Sequence, residues 1–259
     1  MKNDIIRQAL EGKRLAFGTH CSYADIGMYE ICGKLGYDYI WIDNEHAGMT
    51  FPMINNGIVG AKAAGCASVV RVGGHEIDNI KPVLEMGPDA IVVPMVNSAE
   101  EAQHVIDLCL YPPRGIRGFG PLRAIDYAQM PMDQYYAEAD KLTARLLQCE
   151  HYKSVECLDE IMEVDGVDGI ICGPVDLSAS VGKLGKLDDP EVVDLMNTII
   201  RKCKAKKMPF GISIGYNMKL IEHWIGEGAT LVSMGTMYDY FAMMSNKVIK
   251  KVRNGDFTD

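Results

Sequence analysis

Short apolar runs, most of them rich in β-branched residues, punctuate the chain at 15–20 (LAFGTH), 39–43 (YIWID), 68–72 (SVVRV), 90–95 (AIVVPM), 144–149 (ARLLQC), 169–172 (GIIC), 209–214 (PFGISI) and 231–234 (LVSM). Brief apolar stretches bounded by turn residues predict buried strands, eight in this chain. Between them the period changes. Ala102, Val105, Ile106 and Cys109 follow i, i+3, i+4, i+7, and Val155, Leu158 and Met162 follow i, i+3, i+7, each the spacing of one helix face. Glycine closes several of these segments just ahead of the next run, in AAG (63–65), EMG (85–87), VDG (164–166) and GEG (226–228), the usual C-cap position.

Strand alternating with helix predicts parallel pairing, because each parallel connection needs a crossover. Eight such units in 259 residues predict the α/β class and a closed (β/α)8 TIM barrel, one domain over 1–259, with an open doubly wound sheet as the alternative. One interval is too long. After the helix SAEEAQHVIDLCL (98–110), the segment 111–134 mixes Pro, Gly, Arg and aromatic residues without a period. Loops of this length are usually functional or mobile, the other reading being a packed surface excursion. Arg114, Arg117 and Arg123 tip the expectation towards an anionic ligand or a neighbouring subunit.

Composition narrows the partners. The net charge is −9, and the basic pieces KAKK (204–207) and KVIKKVR (247–253) are short, so neither nucleic acid nor an anionic membrane surface is expected. The N-terminal stretch alternates charged and apolar residues at helical spacing without a signal-type apolar core, and nowhere do about 18 apolar residues run together, which reads as a cytoplasmic protein. The eight cysteines are scattered with no C-x-x-C pair and are expected to be reduced core thiols. The segment MYDYFAMMSNKVIKKV (237–252) is amphipathic, which suits ordinary packing or a subunit interface.

A barrel demands that catalytic groups gather where strands end. The second run finishes in Asp43-Asn44-Glu45-His46, the third carries Arg71, the fifth ends Gln148-Cys149-Glu150, and the sixth leads through Gly173-Pro174-Val175 to Asp176. Consecutive parallel strands lie ~4.8 Å apart, so Glu150 and Asp176 fall within reach of one cation, and two carboxylates with open positions suit Mg²⁺ or Mn²⁺. Taken alone, Asp176 is equally a helix N-cap. His46 is the natural acid–base group, with Asp43 placed to hold its tautomer. Arg71 would stabilise developing negative charge, or simply pair with Asp43 or Glu45.

The ordered set IWIDNEH, SVVRV, IVVPMV, YPPRGIRGFG, LLQCE and GVDGIICGPVDLSASVG resembles the HpcH/HpaI-type, metal-dependent class II 2-oxo-acid aldolases, which include 4-hydroxy-2-oxoheptanedioate and 2-dehydro-3-deoxyglucarate aldolases. The resemblance spans nearly the whole chain. It implies a barrel of the pyruvate/phosphoenolpyruvate type, assembled as a hexamer, with Mg²⁺, Mn²⁺ or Co²⁺ on Glu150 and Asp176. Pyruvate would chelate that ion, its carboxylate held by backbone around Gly173, Pro174, Val175 and Asp176. His46, oriented by Asp43, would take the proton of the C4 hydroxyl as the C3–C4 bond breaks to an aldehyde and pyruvate enolate. Arg71 would neutralise the enolate, Glu45 would position water on the metal, and Gln148 would support the site.

The chain departs from the family pattern at Asn44 (commonly Gly), Cys149 (Ile), His151 (Thr or Ser) and in the loop GFGPLRAIDY. That loop, with Phe119 and Pro121, and the mouth of the first strand (His20, Ser22, Tyr23) are expected to contact the aldehyde half. Two other functions fit less of the sequence: a metal-dependent oxaloacetate-type decarboxylase, and a catalytically silent barrel serving as a binding or assembly module. A phosphate-binding isomerase fits least, since ISIGYN and SMGTMYD offer only isolated glycines.

Overall fold

The computed structural model describes residues 4–23 and 25–258. Its strands are β1 (Ala16–Cys21), β2 (Tyr39–Asp43), β3 (Ala67–Arg71), β4 (Ala90–Val93), β5 (Ala144–Cys149), β6 (Gly169–Cys172), β7 (Phe210–Ile214) and β8 (Leu231–Thr236). Each pairs in parallel with the next, and β8 returns to β1, so the sheet closes into a (β/α)8 barrel and the open-sheet alternative falls. Every apolar run has become a strand, with ends displaced by two residues or fewer.

Around the barrel lie α1 (Ile5–Leu10), α2 (Ile26–Leu35), α3 (Phe51–Ala63), α4 (Ile77–Glu85), α5 (Ala99–Cys109), α6 (Met132–Leu142), α7 (Tyr152–Glu156), α8 (Leu158–Ile161), α9 (Pro174–Ser180), α10 (Pro190–Lys206), α11 (Met218–Gly226) and α12 (Met237–Arg253). Gly65, Gly87, Gly166 and Gly228 hold φ of +78°, +65°, +109° and +99°, the left-handed turn that releases each helical segment towards its strand. The face expected as one helix through Val155 and Met162 is instead split into α7 and α8 at Cys157. Lys202 Nζ from α10 donates to the carbonyls of Val155 and Glu156 at 2.9 and 3.0 Å, satisfying acceptors at the break.

Alternate residues of a barrel strand point inward, and here the inward set changes character along the axis. Tyr39 and Trp41, Ala67 and Val69, Ala90 and Val92, and Ala144 and Leu146 pack together inside, and Ile6 and Ala9 of α1 close the N-terminal end. The opposite faces, including Ile40, Ile42, Val70 and Leu147, pack against the helices. One step further along the same inward alternation come Asp43, Arg71 and Gln148, with His20 following Gly18 and Ser213 following Gly211. Inward-facing charge is thereby confined to the C-terminal mouth. Space for the aromatics comes from small neighbours: a Cβ on Gly18 would lie 2.1 Å from Tyr39 Cε2.

The long irregular segment follows α5 and precedes β5, so it belongs to the N-terminal end of the barrel, away from the mouth. Its last residues already form α6, and it packs as a small core of Tyr111, Ile125, Tyr135 and Ala139. The expectation of an anionic ligand for its arginines is corrected, because each is engaged within the chain. Arg114 pairs with Asp140 (2.5 Å) and Asp165 (2.8 Å). Arg117 is buried with its guanidinium 4.5 Å from the Tyr111 ring centre. Arg123 donates to Met86 O (2.6 Å) and Gly87 O (3.3 Å) at the end of α4. Phe119 likewise packs on Tyr111 and Tyr135 and does not line the mouth.

All eight cysteines are unpaired thiols. Among the described residues no helix is long and apolar enough to cross a membrane. Gly18→Ala is expected to lower the unfolding free energy by about 1–3 kcal/mol through overpacking against Tyr39, read as a lower urea midpoint at unchanged slope.

Candidate active site

Asp43 and Arg71 end adjacent strands in direct register, and both are 4% exposed. Arg71 Nε donates to Asp43 Oδ1 at 3.0 Å and Nη2 to Oδ2 at 2.6 Å, a two-pronged pair that fixes the guanidinium plane. Nη1 reaches Glu45 Oε2 at 2.8 Å. Burial opposes the charge on Asp43, yet the hydrogen bonds and charge of Arg71 outweigh it and hold the carboxyl below its ordinary range. Glu45 moves the other way, raised by burial despite Arg71 and His46.

His46 does not meet the Asp43 carboxylate through its ring, which corrects the orientation expected for it. Asp43 Oδ1 instead accepts the backbone N–H groups of Glu45 (3.0 Å) and His46 (3.3 Å), shaping the turn. The imidazole faces Glu45, with Nε2 3.6 Å from Oε2, and its side chain is 60% exposed to the mouth.

Glu150 lies just beyond β5 and is 2% exposed. Its Oε1 accepts the N–H of Met95 at 2.8 Å, and its Oε2 accepts from Gln148 Nε2. Burial pushes this carboxyl up to about 8; the Met95 N–H lowers it, the negative charges of Glu45 and Asp176 raise it, and Arg71 lowers it. Gln148 Oε1 is buried with no hydrogen-bond partner among the described residues. Gly173 leaves the necessary gap, since a Cβ there would stand 2.4 Å from Glu150 Oε2. Asp176 is exposed in the first turn of α9, and Gly173 holds the N-cap position, so Asp176 is not the N-cap of that helix.

Met95 was not legible as a site residue. It adopts φ +53°, uncommon for a side-chain-bearing residue, and only that turn aims its N–H at Glu150. His75 Nε2 donates to Pro94 O at 2.6 Å and braces the same turn. The one signal was Pro94, which stops β4 early.

The mouth encloses a cavity of about 400 Å³ reached by Asp43, His46, Arg71, Gln148, Gly173 and Asp176 from one side and by β1, β7 and β8 from the other. Val175 also lines it. Of the residues expected at the first strand, His20 and Ser22 line the cavity. Tyr23 packs edge-on against Tyr238 at 5.5 Å instead. His151, where a Thr or Ser was expected, does a hydroxyl's work: its Nδ1 accepts Lys153 N–H at 3.2 Å and caps α7.

Residues 17–242 match the family model described as HpcH/HpaI aldolase/citrate lyase. The chain belongs to this family. A hydroxypyruvate/pyruvate aldolase of Roseobacter denitrificans is 38% identical over 204 residues, covering 78% of this chain and 77% of that protein. A 4-hydroxy-2-oxovalerate aldolase of Novosphingobium aromaticivorans is 34% identical over 86% and 83%. The crystal structure of an HpcH/HpaI aldolase from Desulfitobacterium hafniense superposes with a TM-score of 0.90 at 26% identity, covering 96% of both chains. As a member of the HpcH/HpaI family, the chain is a carbon–carbon lyase of the aldolase kind.

Among the described residues no three His, Cys, Asp or Glu side chains gather as a metal-holding group. The residues present nevertheless fit a cation that takes part of its coordination from elsewhere. Glu150 is a carboxylate stripped of water, Gln148 offers an unpartnered amide oxygen, and Gly173 keeps the approach clear.

The raised Glu150 carboxyl has a stability signature. The folded, metal-free protein binds a proton that the unfolded chain, with an ordinary value of 4.5, has released. Stability therefore falls as pH rises from about 5 to about 8. Glu150→Gln carries no such proton, so its melting temperature in EDTA is expected to change less across that window and to exceed wild type at pH 8 by at least about 2 °C. A slope identical to wild type would count against the assignment.

Proposed function

We propose that this HpcH/HpaI family member is a divalent-metal-dependent aldolase that cleaves, or in reverse forms, a 4-hydroxy-2-oxo acid, with pyruvate and an aldehyde as the other partners. The observation that carries the reading is Glu150, buried at the mouth against Gly173 with only the Met95 N–H and the Gln148 amide as partners, and within the electrostatic reach of Arg71 and Asp176. Glu150 and Asp176 would hold the ion, and a bound Mg²⁺, Mn²⁺ or Co²⁺ would supply Lewis-acid withdrawal of electrons from the 2-oxo group.

The chain's own residues account for the remaining work. His46 Nε2 takes the proton of the C4 hydroxyl, and the Glu45 carboxylate 3.6 Å away steadies the resulting imidazolium. The C3–C4 bond then breaks, the aldehyde leaves, and the electron pair stays with the pyruvate fragment as an enolate. Arg71 has five N–H groups and donates two of them, from Nε and Nη2, to Asp43, while Nη1 forms an ion pair with Glu45, so N–H groups on the terminal nitrogens remain for that negative oxygen. Asp43 positions this guanidinium. Backbone N–H groups of Val175 and Asp176 at the start of α9 meet the substrate carboxylate.

His46→Ala is expected to cut kcat/KM for cleavage of a 4-hydroxy-2-oxo acid by about 10²-fold or more, since the hydroxyl proton loses its base. Pyruvate release from oxaloacetate, which has no hydroxyl proton to lose, should fall by less than about tenfold. Equal survival of both activities would sink the role of His46. In the same preparations Mn²⁺ should raise the melting temperature of wild type and leave Glu150→Gln unmoved.

The proposal extends to a cytoplasmic homo-hexamer. Supporting it, no residue of α12 is buried, and Phe241, Met244, Val248 and Val252 stand exposed along it. Light scattering should return six chain masses; a monomer would rule this assembly out.

A further inference from the structure

The cavity has two unlike walls. The β2, β3, β5 and β6 side carries the charged groups used above on the 2-oxo acid. The opposite wall, from β1, β7 and β8, presents His20, Ser22, Ser213, Ile214, Gly215 and Thr236, none of them a formal charge when His20 is neutral. Thr236 Oγ1 is already engaged, accepting the Asp239 N–H at 3.1 Å at the start of α12. The polar groups held together on this wall are His20 and Ser213, whose Oγ lies 3.0 Å from His20 Nε2, a pair bonded to each other that keeps further donor and acceptor capacity for a ligand.

This pair is held rigidly. The His20 ring stacks on the Trp41 indole at 4.9 Å and 12°, and the Arg71 guanidinium carbon sits 5.6 Å from the centre of the same indole. Trp41 thus spaces the neutral wall from the charged one. Burial, followed by the Arg71 charge, lowers the imidazole to about 4, so it is uncharged at neutral pH. A neutral imidazole owns one N–H and one lone pair, and a serine hydroxyl owns a donor and acceptors, so together they bridge a ligand hydroxyl in either sense. An alkyl group at the same place would take water from these groups and return no hydrogen bond, which is the discrimination that polar pockets exert most strongly.

We propose that His20 and Ser213 read a hydroxyl on the carbon next to the aldehyde carbonyl, so that the electrophile of this enzyme is an α-hydroxyaldehyde in preference to a simple alkyl aldehyde. The inference rests on the aldolase reading. In the forming direction C3 of the pyruvate enolate bonds to the carbonyl carbon, the carbonyl oxygen takes back the proton from His46, and the neighbouring hydroxyl lies between His20 and Ser213.

Glycolaldehyde and propanal have the same number of heavy atoms and differ by a hydroxyl in place of a methyl, which makes their ratio the readout. With pyruvate and Mn²⁺, His20→Phe and, separately, Ser213→Ala are each expected to lower the ratio of kcat/KM for glycolaldehyde over propanal by about tenfold, the worth of one lost hydrogen bond. Ser213→Ala removes a single oxygen and keeps the test alive if His20→Phe does not fold. A ratio unchanged from wild type in Ser213→Ala overturns the inference. Proton exchange at pyruvate C3 in D2O needs no aldehyde and separates the two levels. Wild-type exchange together with an unchanged ratio discards only the hydroxyl assignment. Absence in wild type of both exchange and addition to either aldehyde discards the aldolase reading, and this inference with it.

Discussion

The arrangement at the mouth is governed by the difficulty of keeping the Glu150 carboxylate where water does not reach it. Four carboxylates, Asp43, Glu45, Glu150 and Asp176, surround one guanidinium, so positive charge is in deficit. Arg71 cannot serve all of them. It is committed to Asp43 and Glu45, and Glu150 is left with two uncharged donors, the Met95 N–H and the Gln148 amide. The strained turn at Met95 and the missing side chain at Gly173 both follow from making room for this group. A cation held there would relieve that imbalance, which is the physical basis of the proposed metal dependence.

Confinement of charge to one end follows from strand alternation in a tube that is plugged at the other. Tyr39 and Trp41 fill the middle, α1 seals the base, and the next inward position of each strand is the first that can meet solvent. The run YIWID spells this out in five letters: two aromatics inside, then an acid at the rim. For this reason the barrel and the strand-end cluster were legible in the sequence. The Asp43–Arg71 pair was equally legible as one of the roles open to Arg71, since both residues close neighbouring parallel strands.

What escaped the sequence depended on direction and on backbone torsion. Asp43 lies on the inward side of β2 while Glu45 is already in the turn, and that difference decides which acid the His46 ring meets. The arginines of the long segment read as ligand-seekers because spacing does not reveal Asp140, Asp165 or the carbonyls of Met86 and Gly87. The chain order did hold the clue: a segment that follows a helix and precedes a strand lies at the barrel's N-terminal end. The role of Met95 rests on a positive φ that no property of methionine announces.

The Trp41 indole, lying under both His20 and Arg71, ties together the two sides of the cavity. Replacing it would loosen His20 and Arg71 in one stroke, because both lean on the same indole. The bicyclic side chain is therefore a shared hinge-pin of the mouth, through which a change on one flank is felt on the other.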